Sequence, residues 1–180
     1  MNALLFLLLT FSISEPSVIK LPMLIVEATD ETLEKSGGVL FQKGLPFTGF
    51  IIESYNKQQL KSKTTYLNGK RHQWDFGWHP DGTLRYSRFY KIGEKEGQHL
   101  GFWPNGNLQY EYFFREGLHH GSAKQWYRDA CNYTSFHFDN GLESGTQQSW
   151  NPDGSLKANF VTVGGHRYGL IGLKLCKAPT

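Results

Sequence analysis

A constant spacing between glycines constrains this chain more than any other feature of its sequence. Two glycine series run in parallel, and in each the next member stands at the twenty-fourth position after the one before. One is Gly69, Gly93, Gly117, Gly141 and Gly165, and the other, displaced by four positions, is Gly97, Gly121, Gly145 and Gly169. A period of this length is typical of stacked structural units, each of which buries its apolar surface only against its neighbours. The sequence therefore predicts a repeat array, and the first series is predicted to supply its turn glycines.

Other residue types keep the same spacing. An aromatic series comprises Trp78, Phe102, Trp126 and Trp150, and a turn series comprises Asp81, Asn105, Asp129 and Asp153. A less regular first unit begins near Phe41, so the predicted array covers residues 41–176 in five to six units. Before it we place a signal peptide over residues 1–14 and a lead-in segment over 15–40. A tail over 177–180 follows.

The local chemistry within a unit is that of a β-hairpin. Pro80-Asp81-Gly82 and Asn68-Gly69 are turn sequences, because Gly and Asn tolerate positive φ. Between the turns apolar residues alternate, as in Trp74, Phe76 and Trp78. No segment has the apolar spacing of an amphipathic helix. We predict an all-β chain, a single-layer antiparallel β-meander of 24-residue hairpin repeats with two strands per unit, all antiparallel, and essentially no helix after the signal peptide.

Two surfaces follow from this alternation. Neighbouring strands lie about 4.8 Å apart, so each unit advances the sheet by about 10 Å. The series Trp78, Phe102, Trp126 and Trp150 is then predicted to form a structural ladder of rings along one face. Trp103 and Tyr127 point the other way, and we name them, with Arg85 and Arg88, as a candidate binding surface. The alternative is that both faces are needed for packing within the array.

The amino end resembles an export signal. Residues 3–13 are almost entirely apolar, a run too short to span a bilayer but suited to a secretory signal peptide, although no Lys or Arg precedes it. A buried first strand is the alternative. We predict export to the periplasm, the cell surface or the medium. Export permits a disulfide between Cys131 and Cys176 and, in a eukaryotic host, glycosylation at Asn132, and both are left open.

Composition and charge narrow the classes of protein. Aromatic residues make up 15% and charged residues 19% of the chain, with only two Cys, which excludes a disordered chain, a coiled coil and a disulfide scaffold. The net charge of +3 is too small to predict nucleic-acid binding. Residues 42–95 nevertheless hold ten Lys and Arg against four acidic residues, a difference of +6. This region is either a solvated surface or a contact for an acidic partner.

No constellation of catalytic, cofactor-binding or metal-ligating residues stands out. The seven His residues are dispersed, and the adjacent pair His119 and His120 points to opposite faces of a strand. Cys131 has no obvious catalytic partner, and the glycines belong to hairpin turns rather than to a phosphate-binding loop before a helix. We therefore expect no enzymatic activity, no cofactor and no metal.

The repeated motif, Tyr/Phe-x-x-Gly-x-x-x-Gly followed by Trp-x-Pro-Asp/Asn-Gly-x-Leu, resembles the MORN-repeat variant of YwqK-type proteins. Phe47-Thr48-Gly49 is similar to the opening of such arrays, and residues 164–172 resemble the closing segment of exported members. The resemblance covers about three quarters of the chain. Ala130, Cys131 and Asn132 depart from the Gly-x-Leu turn, which suggests an interrupted platform with a bend or a distinct surface there.

The resemblance implies a β-meander platform for protein contacts. Some members of the family are known as toxin-neutralising antitoxins, and some MORN proteins are linked to phospholipid binding. We therefore expect a non-catalytic, exported scaffold that mediates protein–protein interaction with a partner the sequence does not identify. The alternatives are an antitoxin that binds a cognate toxin and a module that binds an anionic phospholipid surface.

Overall fold

The computed structural model of the protein describes residues 24–172, in which every regular element is a β-strand. The predicted signal peptide over 1–14, Cys176 and the tail over 177–180 lie outside these residues. Between residues 24 and 172 no helix is long and apolar enough to cross a membrane. The prediction of an all-β chain is confirmed for this part of the molecule.

Seventeen strands follow one another along residues 24–172. They are β1 (Ile25–Glu27), β2 (Leu33–Ser36), β3 (Val39–Gln42), β4 (Leu45–Pro46), β5 (Gly49–Asn56), β6 (Gln59–Leu67), β7 (Lys70–Trp78), β8 (Leu84–Lys91), β9 (Glu94–Lys95), β10 (Gly97–Phe102), β11 (Leu108–Arg115), β12 (Leu118–Trp126), β13 (Asn132–Asp139), β14 (Leu142–Glu143), β15 (Gly145–Trp150), β16 (Leu156–Val163) and β17 (His166–Leu170).

The main sheet is a meander of 14 strands. Its order is β1, β5, β6, β7, β8, β10, β11, β12, β13, β15, β16 and β17, with β9 beside β8 and β14 beside β13. From β5 onward neighbouring strands pair antiparallel, as predicted. At the first edge β1 instead lies parallel to β5, with Val26 opposite Ile51. This strand lies in the predicted lead-in segment over 15–40 and not in the repeat units, and residues 28–48 form a connection long enough for the crossover that parallel pairing needs.

This connection contains a second, three-stranded sheet formed by β2, β3 and β4. The small sheet is joined to the main array at the first turn between units, where the Leu40 N–H donates to the Gly69 carbonyl at 2.8 Å. The Phe47 N–H in turn donates to the Leu40 carbonyl at 2.9 Å. Phe41, where the predicted array begins, lies in β3 and so belongs to the small sheet.

Units are joined by two-residue turns in which both residues have positive φ. The angles are 48° and 76° at Asn68 and Gly69, and 47° and 83° at Asn140 and Gly141. This is the type I′ geometry, whose twist matches that of the flanking strands. In four of these turns the glycine N–H donates to a carbonyl of the preceding unit, from Gly69 to Phe47, Gly93 to Arg71, Gly117 to Lys95 and Gly141 to His119, at 2.7 to 3.0 Å. Each of these turns is thereby fastened to the unit before it.

The turns within units are held by a side chain. The Asp81 carboxylate accepts the Thr83 N–H at 2.9 Å, and the equivalent bonds run from Asn107 to Asn105, from Cys131 to Asp129 and from Ser155 to Asp153. Ala130 stands where three other units have glycine, and it adopts a φ of 69°. Its N–H still donates to the Tyr127 carbonyl at 3.0 Å. The turn is therefore not interrupted, contrary to the expectation from the sequence, because alanine takes the left-handed conformation.

The most buried residues from β7 to β16 share one face of the main sheet, which we call the packed face. It carries Asp75, Tyr86, His99, Phe114 and Phe160, each 9% exposed or less. Trp78, Phe102, Trp126 and Trp150 alternate with residues of this face along their strands, and so lie on the opposite face.

A turn residue that suits its backbone poorly offers a test of this architecture. Ile92 adopts a φ of 49° and is 54% exposed. Left-handed backbone costs a residue with a β-carbon roughly 1 to 2 kcal/mol, and Asn tolerates it better. We expect Ile92→Asn to raise the free energy of unfolding in urea by about 1 kcal/mol. The reciprocal change Asn140→Ile, in the equivalent turn, should lower it. A less stable Ile92→Asn protein would contradict the assigned turn geometry.

Candidate functional site: a basic groove

The packed face is centred on four buried residues that recur once per repeat unit. They are Asp75, His99, Ala123 and Gln147, and each is 5% exposed or less. An acid, an imidazole, a methyl group and an amide thus occupy one position in successive units, so the chemistry at the centre of the sheet changes from unit to unit. Sequence analysis missed this series, although comparison of the same repeat columns contains it.

His99 and Gln147 make the same contact in different units. His99 Nε2 lies 2.8 Å from the Phe89 carbonyl, and Gln147 Nε2 donates to the His137 carbonyl at 2.8 Å. Because the carbonyl accepts, the neutral His99 ring carries its proton on Nε2. Burial lowers the pKa of His99 to about 4, so the ring is uncharged at neutral pH.

Aromatic rings contact one another across strands on the packed face. The ring centres of Tyr90 and His99 are 5.4 Å apart, those of His99 and Phe114 4.6 Å, those of Phe114 and His119 4.3 Å, and those of His119 and Phe138 5.1 Å. These distances are those of favourable aromatic pairs. The row links β8 to β13 through contacts between side chains of successive strands.

The predicted ladder is held together differently. Trp78, Phe102, Trp126 and Trp150 are half-buried, and their backbone carbonyls accept hydrogen bonds from the preceding unit. The donors are Tyr55 Oη to Trp78 at 3.2 Å, Trp103 Nε1 to Trp126 at 3.2 Å and Tyr127 Oη to Trp150 at 3.0 Å, while His79 Nε2 lies 3.0 Å from the Phe102 oxygen. Trp103 and Tyr127, predicted as a candidate binding surface, therefore have a role inside the array.

A basic groove lies on the packed face of the early units. It consists of two cavities of about 300 and 230 Å³ that share Tyr90 and Lys95. Lys35 and Arg71 line the first cavity, and Arg88 lines the second. Among the described residues, neither cavity is lined by an Asp or a Glu. We use the name basic groove for these two cavities and their cationic side chains, Lys35, Arg71, Arg88 and Lys95.

Aromatic side chains hold these cations in place. Arg88 donates from Nε and Nη2 to Tyr110 Oη at 3.2 and 2.8 Å, and its guanidinium lies 4.1 Å from the centre of the Tyr86 ring. Arg71 Nη1 donates to Tyr90 Oη at 3.3 Å. Lys95 Nζ lies 4.7 Å from the centre of the Phe114 ring. Both hydrogen bonding and cation–π attraction therefore restrict the positions of the positive charges.

One buried carboxylate lies beneath the two arginines. Asp75 Oδ2 is 3.7 Å from Arg71 Nη1, while Oδ1 accepts from Thr64 Oγ1 at 3.0 Å and from Tyr86 Oη at 3.4 Å. Burial raises the pKa of Asp75, and the charges of Arg71 and Arg88 oppose that rise. Four cations against this single carboxylate leave the groove with a net charge of +3 when Asp75 is ionised.

The repeat explains why the groove is limited to the early units. Arg71 and Lys95 occupy the same position of successive units, and the next three residues in that series are His119, Glu143 and Arg167. Burial lowers the pKa of His119, which disfavours its charged form. Glu143 then pairs with Arg167 at 2.9 Å. The positive run therefore ends after two units, in keeping with the uneven charge of the sequence.

The remaining predicted residues lie apart from the groove. Arg85 packs with its guanidinium 5.2 Å from the centre of the Tyr86 ring and lines neither cavity. Trp103 and Tyr127 do not line them either. The structure thus places Arg88, but not the other three residues of the candidate surface, beside Arg71 and Lys95.

The cysteine and the sequon lie at a turn. Cys131 is exposed, and Asn132 is exposed at the start of β13. Because Cys176 lies outside the described residues, the disulfide stays a prediction. Within residues 24–172 no three His, Cys, Asp or Glu side chains form a group that could hold a metal ion.

No family model matches the chain, and no curated protein matches it. The similarity of its repeated motif to the MORN variant therefore stays a prediction, while the β-meander itself is observed.

The hydrogen bonds between units can be tested at one oxygen atom. Tyr127→Phe removes only the hydroxyl that donates to the Trp150 carbonyl. Since a hydrogen bond contributes about 1 kcal/mol, we expect the Tm to fall by about 2 °C, measured by circular dichroism. Tyr133→Phe is the control, because the Tyr133 ring packs against Tyr127 at 4.8 Å and its hydroxyl has no hydrogen-bond partner among the described residues. An equal effect of both changes would argue against the assigned bond.

The buried imidazole predicts a dependence of stability on pH. His99 is held neutral in the fold, whereas in the unfolded chain it takes up a proton near pH 6.5. The stabilisation is complete above about pH 6.5 and is lost as pH falls towards 4, by an amount on the order of 3 kcal/mol.

The variant His99→Gln isolates this effect. Gln147 shows that glutamine at the equivalent position makes the same bond, so we expect the variant to fold and to lose less stability than the native chain between pH 7 and pH 4. Asp75 and His119 titrate in both proteins, so the difference reports His99. Identical pH profiles in urea unfolding would contradict the prediction.

Proposed function

We propose that this protein is a non-catalytic repeat scaffold that mediates protein–protein interaction, and that it holds an acidic part of its partner in the basic groove. The observation that carries the proposal is the lining of the groove, in which four cations converge, while the one nearby carboxylate, Asp75, is buried beneath the arginines and does not line the cavities. Arginine fits carboxylates closely because its planar fork can form two parallel hydrogen bonds.

Partial burial strengthens this attraction. Arg88 is half-buried, and the Tyr86 ring contacts its guanidinium. A charge at such a position is screened less by water and salt than a fully exposed charge is. Because Tyr110 already restrains the Arg88 side chain, a partner would also order it at a smaller cost in conformational entropy.

The surroundings of the groove favour a narrow acidic segment over a flat anionic membrane. The neighbouring cavity is lined by three cations and three carboxylates, namely Lys70, Lys91, Arg115, Glu94, Glu96 and Glu116. A flat surface would meet both signs of charge there, whereas a segment lying in the groove meets only cations. Binding to an anionic phospholipid surface is the second candidate, favoured by the cluster of cations itself.

Export and the nature of the partner belong to the same proposal. The apolar segment within residues 1–14 supports a location outside the cytoplasm. The family resemblance supports a toxin as one form of the partner, in which case the scaffold acts as an antitoxin.

The experiment compares capture by three proteins. The native chain, Arg88→Gln and Lys157→Gln are immobilised and exposed to the exported fraction of the host, and bound proteins are identified by mass spectrometry. Lys157 is exposed on β16, distant in sequence from the groove. We expect one acidic partner to bind the native chain and Lys157→Gln equally, and to bind Arg88→Gln about tenfold less, since a hydrogen bond to a charged group contributes about 1.5 to 3 kcal/mol.

A parallel assay separates the two candidates. Sedimentation with phosphatidylserine vesicles that depends on Arg88, together with capture that does not, would replace the protein partner by a membrane. Melting curves of all three proteins ensure that a loss of binding is not a loss of folding.

A further inference from the structure

We infer that the basic groove recognises an acidic segment in the polyproline II conformation, with carboxylates at every third residue so that one carboxylate meets each repeat unit. This inference rests on the proposed function and names the chemistry of the partner. It follows from the spacing of the cations, which the repeat determines, and from the rings that accompany them.

The spacing of the cations is that of the units. Arg71 on β7 and Lys95 on β9 occupy the same repeat position, and β9 continues into β10, which lies two strands from β7 in the main sheet. Two strand spacings of about 4.8 Å place equivalent positions about 10 Å apart. A ligand that contacts both cations from one side therefore needs negative groups at about this separation.

A polyproline II helix has this separation. It rises about 3.1 Å per residue with three residues per turn, so side chains three residues apart point the same way at a distance of about 9.3 Å. In a β-strand the side chains that share a face are two residues apart, at about 6.8 Å. The first conformation matches the repeat and the second does not.

The groove also offers ring surface to such a ligand. Tyr66, Tyr110 and Tyr112 line the cavities and are half-buried. Grooves lined by aromatic rings are the usual docking sites of proline-rich segments, whose preformed conformation loses little entropy on binding. The cations would then select carboxylates at the third residues, and the tyrosine rings would contact the prolines between them.

The residues at the repeat position of Arg71 and Lys95 also limit how many carboxylates of the ligand can meet a cation. After Arg71 and Lys95 the series continues with the half-buried His119 and with Glu143, which repels a carboxylate. The groove therefore accommodates two carboxylates at this repeat position. A longer acidic segment gains no further partner at this position.

The test uses two labelled octapeptides that contain two glutamates and six prolines each. In the first the glutamates stand at the third and sixth residues, and in the second at the third and fifth. Fluorescence anisotropy at low ionic strength should show at least about fivefold tighter binding of the first peptide. Arg71→Gln and Lys95→Gln should each weaken its binding about tenfold, and Lys157→Gln should leave it unchanged.

Melting curves and a second variant at Arg71 serve as controls for a loss of folding. Arg71 packs near Tyr90, so Arg71→Lys, which keeps the charge, is included, whereas Lys95 is exposed and its replacement removes only its contact with the Phe114 ring from the packed face. Retention of most of the affinity by Arg71→Lys, with loss in Arg71→Gln, would support a role for the charge.

The outcomes separate this inference from the proposed function. Equal affinity for the two peptides, or tighter binding of a helical acidic peptide of equal charge, would overturn the inference. If Arg88-dependent capture of a protein persists in that case, the proposed function stands. If the native chain captures no protein in a way that depends on Arg88, the proposed function is overturned instead.

Discussion

A single backbone hydrogen bond, repeated along the chain, positions everything else in this molecule. The N–H of the glycine in each of four turns between units returns to a carbonyl of the preceding unit, which fastens each new hairpin to the one before it. The two left-handed residues of the turn determine how the strands pair, and with that pairing they determine which side chains face each way. Equivalent residues of successive units therefore lie at a constant separation. An isolated hairpin would be at best marginally stable and so needs its neighbours.

Such a frame leaves the residue at each fixed position free to vary when its polar atoms find hydrogen-bond partners on the neighbouring strands. The buried series makes this clear, because His99 and Gln147 bond to equivalent carbonyls and Asp75 bonds to Thr64 and Tyr86. The same freedom allows the charge at one repeat position to be positive in Arg71 and Lys95 and negative in Glu143. A local surface with its own chemistry thus arises without any change in the backbone, and the groove occupies the units where those substitutions are basic and tyrosine-rich.

Much of the fold could be predicted from the sequence, because turns such as Asn68-Gly69 and the alternation around Trp74 have direct local causes. The parallel pairing of β1 could not, since three residues carry no periodicity and their partner is distant in the chain. The buried series was not predicted, because a comparison based on similar residues does not detect residues that share a repeat position but differ in chemistry.

The contacts of Trp103 and Tyr127 were not predicted for another reason. Alternation gives the face of a side chain, but it does not specify which carbonyl of the next unit the side chain reaches. Of the candidate surface, only Arg88 was placed in the groove.

The parallel strand β1 also bears on how arrays of this kind change in length. It occupies the hydrogen-bonding edge of β5, so a further hairpin cannot pair directly with β5. Every later unit docks only on its predecessor, so a duplication or deletion of one whole repeat unit beyond the groove would preserve both the capped end and the groove beside it. The first units, with the groove, are thus fixed by their neighbours, whereas the number of later units can change in evolution without altering the groove.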